Sequence, residues 1–277
     1  MDINAPSPGQ VTPTPDTDPR LPPEIEYTIF VFAFHNDQKD RPTLLCVARR
    51  VSQWLLPLLY KVVAIGHTYD GFRTHPPLSA LRIHGHHVRH LSVMNWGTPQ
   101  ELVSSCPNVS NLMLWFGTTL VPDILNLPVE RFATRSFGFL EDRWASDPNE
   151  VKLAAWCSKI THIALATLER SESHHLTHFP ALEYLMILGS MASDRQGIMG
   201  ALQHCPRLKV VVWLLGPVSD VTRTQAVKDG GDSDSDIRIV KVDGLITADW
   251  TRGAQGLEDM WDVAEEEVRM RREDHRW

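Results

Sequence analysis

Residues 106–114 read CPNVSNLML, and residues 205–213 read CPRLKVVVW. Each stretch sets a cysteine three residues ahead of an apolar residue, then keeps apolar residues in the fourth and sixth places counted from it: Val109, Leu112 and Leu114, then Leu208, Val211 and Trp213. The same frame fits CSKITHIAL at 157–165, with Ile160, Ile163 and Leu165. It also fits FPALEYLMI at 179–187, where Phe179 takes the cysteine slot ahead of Leu182, Leu185 and Ile187. Apolar fourth and sixth places with a residue between them have the period of a strand that buries one face. Cys106, Cys157 and Cys205 therefore read as buried packing thiols in equivalent positions.

Working outward, Val88, Leu91 and Val93 repeat the pattern, and Val129, Phe132 and Thr134 repeat it with a polar last place. Tyr60, Val63, Ile65 and Ile237, Val240, Val242 extend it at the two ends, which makes eight candidate strands. Successive first places are 28, 21, 20, 31, 22, 26 and 29 residues apart. One strand with its return segment cannot bury its apolar side alone, so units recurring at this period must stack on a shared core. Over about residues 60–245 the chain resembles the irregular leucine-rich-repeat regions of substrate receptors. The resemblance implies an α/β fold: a curved solenoid with a parallel sheet, whose concave face contacts a protein substrate.

Places three, five and seven of each unit point away from the apolar fourth and sixth, so they belong to that face. The candidate substrate-binding residues are His90, Met94, Asn111, Met113, Trp115, Arg131, His162, Tyr184 and Met186. Met113 and Trp115 are the expected anchors, since large side chains dominate binding energy. Later units carry Tyr184, Met186, Leu188 and then Val210, Val212, Leu214 there, too apolar for an open face, so either a substrate groove lies on them or, as the favoured expectation, the segment with Trp250 and Trp261 folds across them. Leu257, Trp261, Ala264 and Val268 share one helical face, suited to a capping helix at the open end of the array.

Ahead of the repeats, residues 1–20 hold five prolines and little to bury, and read as an extended tail. At Leu21 the character changes. LPPEIEYTIFVFAF carries Ile25, Ile29 and Phe32 at helical spacing behind prolines suited to a first turn. Thr43 is placed to cap a second helix with Leu44, Val47, Ala48 and Val51, and VSQWLLPLLY forms a third that Pro57 bends or ends. A unit of about 40 residues is marginal alone. Phe30, Phe34, Leu45, Leu55 and Leu59 lie off the main stripes, so the unit calls for a partner.

LPPEIEYTIF followed by LLCVARRVSQWLLPLLYKVV resembles the F-box motif, with Lys39-Asp40-Arg41-Pro42 where that family often has an aspartate-leucine pair. The resemblance implies that Leu21, Pro22, Ile25, Ile29, Phe30, Leu44, Leu45 and Leu55 bind a Skp-type adaptor carried on a cullin scaffold. The expected organisation is a tail over 1–20, a three-helix F-box-like module over 21–60, the repeat arc over 61–250 and a C-terminal capping helix over 251–277. The expected function is substrate recognition in an SCF-type ubiquitin ligase, with no enzymatic chemistry and no cofactor in this chain. The alternatives are a leucine-rich-repeat scaffold outside ubiquitin transfer and a metal-dependent hydrolase.

Composition and charge narrow the rest. Hydrophobic residues are 43% and charged residues 22%, an ordinary globular balance. A net charge of -7 and scattered arginines provide no footprint for nucleic acid. The start MDINAPSPGQ has no leader-like pattern and no apolar run reaches membrane length, so an intracellular, cytoplasmic or nuclear location is expected, without membrane partners. The four cysteines form no CxxC pair; Cys46 is placed within the second helix and lacks a Cys-His framework. Histidines cluster as His84, His86, His87, His90 and as His174, His175, His178. The first group runs into a strand and the second falls in a polar loop, settings that favour surface imidazoles over metal ligands. Walker, GxGxxG, HExxH and GxSxG patterns are absent from the sequence.

Overall fold

A computed structural model of the chain describes residues 21–36, 39–66, 76–94, 99–115, 122–137, 150–169, 172–188, 191–214, 225–226 and 236–274. The proline-rich stretch 1–20 and all but the last residue of DGGDSDSD lie outside the described residues. The chain divides into two compact units, Met1–Leu56 and Pro57–Trp277.

In the first unit, α1 (Pro23–Asn36) and α2 (Arg41–Leu45) lead into α3 (Arg49–Tyr60), which continues through Pro57 across the unit boundary. α2 is shorter than its apolar pattern suggests. Asp40 rather than Thr43 stands at its N-cap, Arg41 and Pro42 form the first turn, and Cys46 follows as the C-cap, exposed. Ala48 precedes α3 and Val51 lies within it. The helices are tied by Arg50, which donates to Glu26 at 2.7 and 2.9 Å, and by an edge-to-face contact of Tyr27 with Trp54 at 5.7 Å. Arg41 lies over the Phe34 ring and donates to the Phe34 carbonyl. Phe34, Val51 and Leu55 are buried.

In the second unit, β1 (Val62–Ile65), β2 (His90–Val93), β3 (Asn111–Leu114), β4 (Arg131–Thr134), β5 (His162–Leu165), β6 (Tyr184–Leu188), β7 (Val210–Leu214) and β9 (Ile239–Asp243) form a parallel sheet. Strand order follows chain order through β7, and β8 (Gln225–Ala226), which the sequence pattern does not signal, pairs antiparallel with β9 at the edge. Parallel neighbours need a crossover between them. Here these are α4 (Leu78–His84), α5 (Pro99–Ser105), α6 (Glu150–Cys157), α7 (Met191–His204) and three 3-10 turns, Gly85–His87, Pro122–Asn126 and Ser173–His178. The histidines at 174, 175 and 178 thus sit on a 3-10 turn rather than in an open loop.

Alternation divides the side chains between two apolar layers. Val63, Leu91, Leu112, Phe132, Ile163, Leu185 and Val211 align rung by rung and pack with Leu81, Val103, Ile124, Trp156, Leu176 and Ile198 of the crossovers. Cys106, Cys157, Phe179 and Cys205 occupy equivalent places in this layer. Burial pushes the three thiols up to about 11, 12 and 11 in chain order. Each fully buried large apolar side chain stabilises by roughly 1.5–3 kcal/mol, which makes this layer the main source of stability.

The opposite face of the sheet carries the second layer. Met113, Ala133, Ala164, Met186, Val212 and Val240 align across it and pack with Met260, Ala264 and Val268 of the C-terminal segment. That segment holds two helices, α8 (Ile246–Ala254) and α9 (Met260–Asp274), laid on the strand face rather than a single helix at the end of the array. The inward face of α9 is Met260, Ala264 and Val268, whereas Leu257 is 55% exposed.

β9 is also out of the expected phase. Val211 pairs with Ile239 and Val212 with Val240, so Val240 and Val242 face α9 instead of the crossovers. Covering both faces allows both phases of IRIVKV to be buried.

Candidate functional site

The in-register pairing sets His90, Asn111, Arg131, His162 and Tyr184 in one row across five adjacent strands. α8 and α9 lie over this row, held in their own geometry by short-range contacts. Gly256, at φ 80°, ends α8 in a left-handed cap in which Leu257 N donates to Arg252 O and Gly256 N to Gly253 O, both at 3.0 Å. α9 begins with a reciprocal cap: Asp259 Oδ1 accepts from Trp261 N and Asp262 N, and Asp262 Oδ2 accepts from Asp259 N. Asp249 accepts from Met260 N at 2.9 Å, and a Cβ at Gly253 would overlap the Asp259 carboxylate, so the helices meet in a close corner.

From that corner, polar and aromatic groups reach the row. Trp250 Nε1 donates to Asn111 Oδ1 at 2.9 Å, Arg131 pairs with Asp259 at 3.3 Å, and the Tyr184 hydroxyl donates to Glu265 at 3.0 Å. His162 stacks on Tyr184 with ring centroids 4.2 Å apart, and Trp261 meets both edge-on. Between row and corner lies a cavity of about 30 Å³. That is room for about two waters and far below a small-molecule pocket.

Desolvation governs the electrostatics here. Burial holds His162 down to about 3 and His90 to about 4, and the neighbouring cations Arg131 with Lys209, and Lys61 with Arg131 and Arg89, push the same way. Both imidazoles are neutral at physiological pH. Burial raises the Asp259 carboxyl despite the backbone donors and Arg131. Tyr184 is pushed up to about 12 by burial and by its bond to Glu265. Among the described residues no three His, Cys, Asp or Glu side chains converge to hold a metal ion, and no helix is long and apolar enough to cross a membrane.

The expected substrate-binding residues therefore divide. Met113, Met186, Tyr184 and Asn111 lie beneath the C-terminal segment at 0, 2, 9 and 8% exposure, so Met113 cannot anchor a partner while that segment is in place. His90, Met94, Trp115, Arg131 and His162 are half-buried. The cover extends to the early strands because Trp250 reaches Asn111 and His90, beyond the later, more apolar strands where it was expected. Asp249, Asp259 and Glu265 join the site without having been singled out in the sequence; the spacing of Asp259 and Asp262 ahead of an apolar helical run was the available signal.

Of the expected adaptor-binding residues, Leu21, Ile25 and Ile29 are 45, 50 and 49% exposed and Pro22 is exposed, while Phe30, Leu44 and Leu45 are half-buried. Leu55 is fully buried, so the chain itself covers it and it cannot also meet a partner. Phe32, at 69%, and Tyr27 join the exposed apolar set. No protein-family model, no curated protein and no solved structure matches the chain.

Proposed function

We propose that this chain is the substrate-recognition subunit of an SCF-type ubiquitin ligase, binding a Skp-type adaptor through F-box-like helices and a protein substrate through a leucine-rich-repeat sheet. The reading rests on one observation above all. α1 is apolar nearly all round, yet Ile25, Ile29 and Phe32 along it, and Leu21 just ahead of it, remain exposed. A helix apolar on all sides belongs in an interior, and contiguous exposed apolar surface marks an interaction site. Helices first and in-phase strand repeats after them agree with the same assignment. The chain then recognises and positions an intracellular substrate while other subunits carry out ubiquitin transfer.

Co-purification with a Skp-type adaptor and a cullin tests this. Leu21→Asp with Ile25→Asp places two charges on exposed positions, so the fold is retained and adaptor capture falls at least tenfold. Capture by the folded double variant at the wild-type level, or no capture by the wild-type chain, overturns the assignment.

A further inference from the structure

The row under α8 and the start of α9 is polar where a permanently covered face needs no polarity. Asn111 is 8% exposed and Arg131, His90 and His162 are half-buried, each contributed by a separate strand. Each meets the cover through a polar or ring contact that leaves part of its hydrogen-bonding capacity unused. Among the described residues the Arg131 guanidinium, a five-donor group with 41% of its side chain exposed, reaches the single acceptor Asp259, and His90 Nδ1 is shielded from solvent without a hydrogen-bond partner. A cavity of about 30 Å³ separates the two surfaces.

Charge is complementary across the seam. Lys61, Arg89, Arg131 and Lys209 surround the row. The cover sets Asp259 against Arg131 and Glu265 against Tyr184, while Asp249 and Asp262 accept from backbone amides of the corner itself. Two tryptophans, Trp250 and Trp261, supply the apolar contact. Farther along the sheet the seam closes differently, with Val210, Val212 and Val240 against Met260, Ala264 and Val268. One end of the C-terminal segment is thus fastened by apolar burial, and the other rests on exchangeable polar contacts.

We propose that His90, Asn111, Arg131, His162 and Tyr184 form a peptide seat occupied by the chain's own segment 249–265, and that the partner it fits is an acidic, tryptophan-bearing helical segment that takes the same seat. This deepens the receptor reading and rests on it, by naming the chemistry of the substrate. A tethered occupant is present at an effective concentration of about millimolar, so a partner in trans must match its contacts to displace it. The seat selects against basic and proline-rich segments, which meet the cationic row with the wrong charge or cannot form the helix.

The test uses the full chain and a fluorescent synthetic peptide with the sequence of residues 246–274. Trp250→Ala with Asp259→Asn loosens the resident segment while Asn keeps the α9 cap. The loosened chain is expected to bind the peptide at least tenfold more tightly than the wild-type chain does. Adding Arg131→Ala abolishes that gain, and a peptide with its Asp and Glu residues replaced by Asn and Gln binds at least tenfold more weakly. Equal binding by loosened and wild-type chains, or by acidic and neutral peptides, overturns the proposal, as does a loosened chain that only exchanges segments with a second copy. Hydrogen exchange on the wild-type chain gives a measurement independent of variant folding: α8 amides exchange at least tenfold faster than those of α9, and equal rates overturn the exchangeable seat. Adaptor capture is scored on the same proteins. Its failure with peptide exchange intact removes the receptor reading, and the reverse result removes the seat alone.

Discussion

The two halves of the covered strand face are held by different physics. Over β6, β7 and β9, α9 buries Met186, Val210, Val212, Val240 and Val242, and Arg271 ties it down by donating to the Ile239 carbonyl at 2.7 Å. Over β2 to β5, the cover buries Met113, Ala133 and Ala164 as well, but there it also meets an amide, a guanidinium and two imidazoles, with a cavity between. Apolar burial is non-directional and adds up with area, so the first half is tight at any nearby register. Polar pairs demand geometry and return little net energy, so the second half specifies one arrangement without holding it strongly. A single segment can therefore be anchored at one end and releasable at the other.

The largest expected effect lies in the apolar half. Val212→Asp would leave a carboxylate in a fully buried rung between Met186 and Val240, costing more than about 4 kcal/mol. Urea denaturation should show a chain that is unfolded or has lost most of its transition. A wild-type midpoint would break the comparison.

Acid acts on the polar half. His162 and His90 titrate near 6.5 when unfolded but at about 3 and 4 when folded, so between those limits the unfolded state binds more protons. Stability present above pH 6.5 is then lost as pH falls, by about 1.4 kcal/mol per pH unit for each imidazole. The raised Asp259 carboxyl works in the opposite direction, since its protonated form is favoured by folding. Urea midpoints from pH 7 to 4 measure the slope, and His162→Phe, which keeps the ring stack on Tyr184, should remove close to half of it. An unchanged slope would show that the row does not govern acid sensitivity.

A smaller loss is expected at the corner. Gly253→Ala drives a methyl into the Asp259 carboxylate and displaces it from Arg131, costing about 1–3 kcal/mol. The thermal midpoint should fall while adaptor capture stays unchanged. Least of all, Lys209→Ala removes a half-exposed partner of Glu183 and should change stability by less than about 1 kcal/mol. A larger loss would mean that the Lys209 stem, near the Tyr184 ring, contributes packing to the seam.

Legibility in the sequence followed the same division. From β2 to β7 the fourth and sixth places are buried, with Leu114 only partly so and Thr134 a buried polar stand-in, because one-sided apolar alternation fixes a strand's phase. At β9 the stretch 237–242 offers apolar residues in both phases, and the choice between them depends on α9, which local periodicity cannot see. The same ambiguity explains α9 itself: residues 257, 261, 264 and 268 and residues 260, 264 and 268 are both helical stripes, and the cap at Asp259 selects the second. Facing of the polar row was readable from alternation alone. That it lies under tryptophans and carboxylates 81 or more residues later was not, since contacts such as Asn111–Trp250, separated by 139 residues, leave no periodic trace.

That separation also sets a hazard during translation. Each strand of the sheet can pair with its predecessor as soon as it leaves the ribosome, but the contacts from Arg131 to Asp259 and from Asn111 to Trp250 wait for residues 128 and 139 positions downstream. For on the order of seconds, at ordinary elongation rates, the nascent chain presents Val210, Val212 and Val240 with nothing over them. A ribosome that stalls or terminates near residue 245 leaves that surface bare for good, so even a short C-terminal loss should make this chain a client of chaperones and proteases.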